Sequence, residues 1–409
     1  MLERMEKQNR IFSGFDADAI DRTTAADLAE VGSDKWTRYP GCIGAFIAEM
    51  DYGLAPCIQQ AIDSACDHCK LGYIPEPWKR RVAEACAGWQ KSHYGWDVDP
   101  DIIRVVPDVL EAYEIFLREL VGAGNAVVVP TPAYMPFLSV PKLYDVDVIE
   151  IEMLQGTDET TGEREWLFDF DAIERAFAAG CHAFVLCNPH NPIGKVLTLA
   201  EEQRLCELAE RYDVRIFNDE IHAPFVYQGH THVPFASINR QTAMQAFTST
   251  SASKSFNIPG TKCAQVILTN PDDLELWMRN AEWSEHQTAT IGAIATTAAY
   301  DGGAAWFEGV MAYIERNIAL VNEQMRTRFA KVRYVEPQGT YIAWLDFSPL
   351  GIGDPANYFF KKANVALTDG RECGEVGRGC VRMNFAMPYP LLEECFDRMA
   401  AALEADGLL

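Results

Sequence analysis

Short runs of β-branched and other apolar residues alternate with longer helical patterns between about residues 97 and 270. Such uninterrupted apolar runs are typical of strands that are buried on both faces of a sheet. The sequence predicts strands of this kind at residues 126–130, 183–187, 214–218, 244–248 and 265–269. Since strands that alternate with helices indicate βαβ units, we predict an α/β fold with a mostly parallel sheet.

One helix between these strands has a readable start signal. Thr198 is followed three residues later by Glu201, which is the spacing of a capping box, and the helical pattern continues to about Tyr212. Beyond about residue 275 the pattern changes to longer helices, notably over 305–331. A strand-like GTYIAWLDF and a final helix from Pro390 follow. The C-terminal part is therefore predicted to be α+β.

The change of pattern predicts a division into domains, because 409 residues exceed the usual size of one compact core. We expect a large α/β domain over 46–290 and a smaller α+β domain over 291–409. The residues before them, 1–45, are polar and irregular, and we expect them to form an N-terminal arm and part of the small domain. Two domains that share a cleft can enclose a cofactor.

Composition and charge exclude several classes of function. Hydrophobic residues make up 48% of the chain and charged residues 23%, which is ordinary for a folded globular protein. The net charge of -24 repels nucleic acids and anionic membrane surfaces, so neither is an expected partner. The sequence has no apolar run of about 18 residues and no signal-like start, so a cytoplasmic location is expected. Cys66 and Cys69 have no second pair at zinc-site spacing, and no metal is predicted.

Three polar motifs follow three of the predicted strands. NPHNPIG follows AFVLC, DEIH follows VRIFN, and STSASKSFN follows MQAF. Ligands of parallel sheets bind outside the carboxyl ends of the strands, so all three motifs are expected at one edge. Alone, a lysine in a serine-rich loop is usually a solvated surface residue. Together the motifs offer a lysine, an acid and turn residues, as pyridoxal phosphate (PLP) requires for its Schiff base, ring nitrogen and phosphate.

These motifs carry a family resemblance. The chain resembles the fold-type I PLP enzymes of the aminotransferase class I/II superfamily, and within them the MalY/PatB-like carbon-sulfur lyases of the cystathionine β-lyase type. The resemblance also covers AEMDYGLAP, TPAYMPF, GTYIAWLDF and VRMNFAMP, which together span nearly the whole chain. It implies a large domain with a seven-stranded type of sheet, a smaller α+β domain, and a homodimer.

The resemblance assigns roles to residues of the three motifs. Lys254 would hold the cofactor as a Schiff base and then move the substrate's α-proton, which needs an amine with a lowered pKa. Asp219 would pair with the pyridine nitrogen. Asn191 would bind the phenolic oxygen, unless it is only a turn residue between prolines. His222 stands where many aminotransferases have a tyrosine, and this favours the lyase branch.

Further residues are assigned to ring stacking and to the substrate. Tyr134 would stack on the PLP ring, although an aromatic residue after a proline turn can also be plain core. Arg382 would bind the substrate α-carboxylate with its two-pronged guanidinium, unless it only lies on the exposed face of a strand.

The cofactor phosphate needs backbone N–H groups at a helix start, hydroxyls and a cation. Val109 and Leu110 would supply the N–H groups, and Ser251 a hydroxyl. Lys262 stands where aminotransferases often have an arginine and MalY-like enzymes often have no cation, so its role is left open. Tyr73 would reach the phosphate of the neighbouring subunit.

The expected reaction is β-elimination of cystathionine or another S-substituted cysteine to a thiol, ammonia and pyruvate. The alternative is an aminotransferase, which would use the same lysine, aspartate and arginine on an amino-acid substrate. A non-catalytic PLP-binding regulator is disfavoured, because neither end of the chain has a basic DNA-binding segment.

Overall fold

The computed structural model describes residues 14–157, 162 and 164–409. The strands are, in chain order, β1 (Ile43–Gly44), β2 (Ile103–Val106), β3 (Ala126–Thr131), β4 (Asp147–Glu152), β5 (Leu154–Thr157), β6 (Arg164–Leu167), β7 (Ala183–Cys187), β8 (Arg215–Asp219), β9 (Ala246–Thr250), β10 (Ala264–Ile267), β11 (Arg333–Tyr334), β12 (Ile342–Asp346), β13 (Val365–Ala366), β14 (Thr368–Asp369) and β15 (Cys380–Asn384).

The α-helices are, in chain order, α1 (Ala17–Asp21), α2 (Ala25–Val31), α3 (Asp34–Thr37), α4 (Pro56–Asp67), α5 (Glu76–Tyr94), α6 (Val109–Phe116), α7 (Pro136–Ser139), α8 (Phe170–Ala178), α9 (Leu199–Arg211), α10 (Arg240–Gln245), α11 (Ala252–Ser255), α12 (Pro271–Leu276), α13 (Glu282–Glu285), α14 (Thr290–Gly302), α15 (Ala304–Arg326), α16 (Pro355–Ala363) and α17 (Tyr389–Ala405). Among these described helices, none is long and apolar enough to cross a bilayer.

The central sheet of the described chain has seven strands in the order β2-β10-β9-β8-β7-β3-β4. Strand β10 pairs antiparallel with both of its neighbours. The pairs from β9 through β4 are all parallel. Every residue of β7 and β9 is buried, which explains their continuous apolar pattern. The prediction of a mostly parallel α/β sheet is confirmed.

The strand predicted at 244–248 lies two residues too close to the N-terminus, because the observed strand is β9 (Ala246–Thr250). In the structure β9 begins at Ala246, because the preceding residues form α10. Asn239 caps that helix: its side chain accepts a hydrogen bond from the Thr242 N–H at 2.9 Å, and the Thr242 hydroxyl accepts one from the Asn239 N–H at 3.0 Å. A short local capping motif therefore overrides the apolar pattern there.

The predicted start of one helix agrees with the structure, and the predicted end of another does not. Helix α9 has the expected capping box, in which the Thr198 hydroxyl accepts from the Glu201 N–H at 3.2 Å. Glu201 accepts in return from the Thr198 N–H at 2.8 Å. The long helix predicted over 305–331 is shorter, since α15 ends at Arg326.

The C-terminal part contains a four-stranded antiparallel sheet in the order β11-β12-β15-β14. The described residues of the predicted N-terminal arm include the short helices α1 to α3, which the sequence pattern did not predict. Strand β1 of this segment pairs with β13 of the C-terminal part. Residues 1–13 of the predicted arm lie outside the described residues, and the division at 45 and 290 stays a prediction.

Candidate active site

A cavity of about 440 Å³ lies between the carboxyl edge of the central sheet and the C-terminal part. Most of the residues predicted for the site line it: Val109, Leu110, Tyr134, Asn191, Asp219, His222, Ser251, Lys254, Lys262 and Arg382. The strands bring these residues together although up to 273 positions separate them in the chain (382 − 109). Tyr73 does not line the cavity and is 93% exposed. Its role across a subunit interface stays a prediction.

Asp219 is the last residue of β8 and points its carboxyl group into the cavity. One carboxyl oxygen accepts a hydrogen bond from the Ile221 N–H at 3.0 Å. The other has, among the described residues, the weak Cys187 thiol donor at 3.9 Å. Burial raises the pKa of this carboxyl to about 7, although the backbone bond and Lys254 oppose the rise. Asp219 therefore has an oxygen that is free to pair with a cationic ring nitrogen.

Lys254 lies in the short helix α11, directly after β9. Its amine donates a hydrogen bond to the backbone carbonyl of Ala48 at 2.9 Å. Burial, together with the nearby Arg382 charge, lowers the pKa of this amine to about 8, while Glu49 and Asp219 oppose the shift. The lowered pKa leaves far more neutral amine near neutral pH than an ordinary lysine has, which suits it both to bind a carbonyl carbon and to accept a proton.

Arg382 lies in β15 and is only 4% exposed, so it is not on an exposed strand face. One guanidinium nitrogen donates to Asn191 Oδ1 at 3.3 Å, and another donates to the Phe46 carbonyl at 2.8 Å. These two bonds hold the guanidinium plane, and guanidinium has five N–H donors in all. The remaining donors are available for a carboxylate in the cavity.

His222 is 2% exposed, and within the described residues its Nδ1 has no hydrogen-bond partner. Burial, reinforced by the charges of Lys254 and Arg382, lowers the pKa of this imidazole to about 3, so the ring is neutral. Tyr134 lines the same cavity and contacts Phe137 edge to face, with ring centroids 5.5 Å apart. The cavity is therefore lined by an aromatic ring and a neutral imidazole, and both side chains are compatible with a flat heterocycle in it.

The phosphate end of the site begins at helix α6. Val109 and Leu110 are its first two residues, whose N–H groups have no intrahelical partner. Asp108 caps the helix by accepting from the Glu111 N–H at 3.0 Å, and it also accepts from the Lys262 amine at 2.7 Å. The Lys262 ammonium is therefore already paired with the Asp108 carboxylate, so its charge is not available to a phosphate alone.

The Ser251 hydroxyl also has partners in the described chain. It donates to the Cys263 carbonyl at 3.0 Å and accepts from the Ser253 N–H at 3.0 Å, so it caps α11. Ser251 lines the cavity, and the phosphate contact stays a prediction.

The sequence did not reveal Asp108 or the carbonyls of Phe46 and Ala48. A capping aspartate before the apolar helix VVPDVLEAY was a possible signal for Asp108. Backbone carbonyls leave no side-chain signature. The only sequence signal near these two carbonyls was the motif AEMDYGLAP, which begins at Ala48 and belongs to the family resemblance.

The residues present fit PLP. A partly buried lysine, a buried acid with a free oxygen, an aromatic ring and an open helix start surround one cavity, as a Schiff base, a pyridine nitrogen, a flat ring and a phosphate require. The fold and the site thus define the class of PLP-dependent enzymes. The chain matches the family described as aminotransferase class I and II over residues 49–399, and it belongs to that family.

The relatives agree with this class. The chain is 32% identical over 371 residues to cystathionine beta-lyase from Corynebacterium glutamicum, which covers 90% of this chain and 96% of the relative. It is 30% identical to cystathionine beta-lyase PatB from Bacillus subtilis, over 88% of this chain and 92% of the relative. The structure of cystalysin from Treponema denticola, which contains a pyridoxal 5'-phosphate cofactor, superposes with a TM-score of 0.86 at 27% identity. It covers 94% of this chain and 98% of that one. The resemblance given by the motifs is confirmed.

Proposed function

We propose that this protein is a PLP-dependent carbon-sulfur β-lyase that acts on cystathionine or another S-substituted cysteine. The observation that carries the proposal is the single cavity that holds the Lys254 amine, the Asp219 carboxyl and the Arg382 guanidinium. The choice of a lyase is supported by relatives named cystathionine beta-lyase at 32% and 30% identity. His222, which stands where many aminotransferases have a tyrosine, also supports the choice of a lyase.

Each side chain has a task that follows from its position. Arg382 binds the substrate α-carboxylate with the donors that Asn191 and Phe46 leave free, and so fixes the orientation of the Cα–H and Cβ–S bonds. Lys254 accepts the α-proton, because its amine is partly neutral near pH 8. Asp219 holds a proton on the ring nitrogen. PLP, when bound, withdraws electrons from the substrate α-carbon.

The overall chemistry balances with one molecule of water. The Cα–H bond and the Cβ–S bond break, the sulfur leaves as a thiol, and the nitrogen leaves as ammonia after hydrolysis. The remaining three carbons are pyruvate, and no external oxidant or reductant is needed. How readily the Cβ–S bond breaks would then depend on how the thioether is oriented once Arg382 holds the α-carboxylate.

The alternative is an aminotransferase, which would use the same three residues but require a keto acid as second substrate. The test is the initial rate of thiol, ammonia and pyruvate release from cystathionine, with and without an added keto acid. We expect release in its absence. Conversion of amino acids only in its presence, without thiol release, would replace the lyase with the aminotransferase.

We also propose that the protein is a homodimer in which Tyr73 contacts the cofactor phosphate of the partner subunit. Tyr73 and Leu71 are 93% and 61% exposed, and exposed large apolar side chains of this kind are often covered by another subunit. The Thr290 hydroxyl donates to the Gly72 carbonyl at 2.6 Å and so fixes this turn in the described chain.

A further inference from the structure

A group of buried polar side chains lies behind the loops that carry Asn191, Asp219 and Lys254. We name it the rear cluster, and its members are Asn188, Glu202, Asn218, Glu220, Thr248 and His232. Each is 5% exposed or less, and none of them lines the cavity. The chemistry proposed above uses none of them, although buried carboxyl groups are costly to keep.

The rear cluster anchors the loop that carries Asn191. The side-chain amide of Asn188, the first residue of that loop, donates to Glu202 Oε1 at 2.9 Å. Its carbonyl oxygen accepts from the Leu197 N–H at 3.1 Å. One side chain therefore connects both ends of the loop to helix α9, which begins at Leu199.

The rear cluster also anchors the ends of β8 and β9. Glu220, which follows Asp219, accepts at Oε1 from the Asn218 amide at 2.8 Å and from the Phe235 N–H at 2.9 Å. The Asn218 amide lies 3.3 Å from the Thr248 hydroxyl of β9, the strand that leads to Lys254. The two strands beside the cavity are thus tied together on the face opposite Asp219.

Both carboxyl groups of the cluster, Glu202 and Glu220, are buried. Burial, together with the nearby Glu220, raises the pKa of Glu202 to about 9, so Glu202 is a neutral acid with one O–H donor at neutral pH. Among the described residues, Glu220 Oε2 and Asn218 Oδ1 are buried acceptors without a partner. Glu202 Oε2 is likewise buried without a partner among the described residues. Buried polar networks fix geometry more than they add stability.

We propose that Glu202 and Glu220 are positioning residues: through Asn188 and Asn218 they hold the loops of Asn191 and Asp219 in register around the cofactor. This inference rests on the proposed PLP site. The inference predicts that a substitution of Glu202 changes the release rate and the visible circular dichroism of the bound cofactor, although Glu202 does not contact the cofactor.

The test compares three variants of the holoenzyme. Glu202→Met fills the same space but offers no acceptor to Asn188. It should release PLP at least about tenfold faster and weaken the visible circular dichroism of the bound cofactor, since loss of one hydrogen bond to a buried group costs about 1–3 kcal/mol. Glu202→Gln keeps the acceptor and should restore both readouts to within about twofold of wild type. Leu205→Ala, in the same helix and fully buried, should lower the melting temperature and leave both readouts unchanged.

Wild-type cofactor release and dichroism in Glu202→Met, or equal changes in Leu205→Ala, would overturn the proposal. If Glu202→Met does not fold, Asn188→Ala removes the donor of the same hydrogen bond, together with the acceptor of the Leu197 N–H, and is judged by the same two readouts. If the PLP site itself is wrong, the wild-type protein already lacks the visible cofactor signal, so the two failures are distinguishable.

Discussion

Arg382 and Asn191 are joined by a hydrogen bond of 3.3 Å, although 191 positions separate them in the chain. Arg382 comes from a strand of the C-terminal sheet, and Asn191 from the loop after a strand of the central sheet. The group proposed for the substrate carboxylate is thereby fixed to the group proposed for the phenolic oxygen of the cofactor. If both proposed roles are right, this bond couples the position of the substrate carboxylate to that of the cofactor.

Arg382→Lys should therefore raise KM for cystathionine roughly 10- to 100-fold, because a lysine cannot keep both bonds and still present a planar fork. Steady-state KM and kcat are the measurement. Arg378→Lys is the matched control, since Arg378 is exposed and paired with Glu375 at 3.1 Å. An unchanged KM in Arg382→Lys would remove the carboxylate role.

Asp219→Ala should reduce kcat by on the order of 100-fold or more, because a ring nitrogen without an acidic partner stabilises developing charge poorly. The variant should still fold and still bind PLP at Lys254. The comparison of kcat with the visible absorbance of the cofactor separates these two effects. A kcat near that of the wild type would contradict the pairing with the ring nitrogen.

The rate of PLP uptake by cofactor-free protein should rise with pH and reach half its maximum near pH 8, where the pKa of Lys254 lies. Below that pH the amine is protonated and cannot attack a carbonyl, and above it the amine is neutral. Stopped-flow absorbance between pH 6 and 10 is the measurement. An ordinary lysine, with a pKa of about 10.4, would give a rate that still rises steeply above pH 9.

Tyr73→Ala and Lys254→Ala should each form inactive or weakly active dimers that regain activity when they are mixed. A mixed dimer has one site with both residues intact, if Tyr73 acts across the interface. The activity of mixtures, with sedimentation to establish the dimer, is the measurement. An active monomer, or no gain on mixing, would show that Tyr73 has no role in the neighbouring site.

Local patterns predicted the central sheet and the meeting of three polar motifs at one edge, whereas the roles of the individual site residues came from the family resemblance. Apolar runs mark buried strands, and the residues after them meet at one edge, which places Asn191, Asp219 and Lys254 together. The pairing of Lys262 with Asp108 could not be predicted, since 154 positions separate the two residues. The helices within 17–37 were missed because they are short and depend on capping residues such as Thr24.

The most direct test of the proposed active site is to identify the residue that binds PLP. The holoenzyme is reduced with borohydride, digested, and its peptides are mapped by mass spectrometry, with Lys254→Ala as the control. The account predicts a pyridoxyl group on Lys254, and none in the variant. A pyridoxyl group on Lys262 or on any other lysine would contradict it.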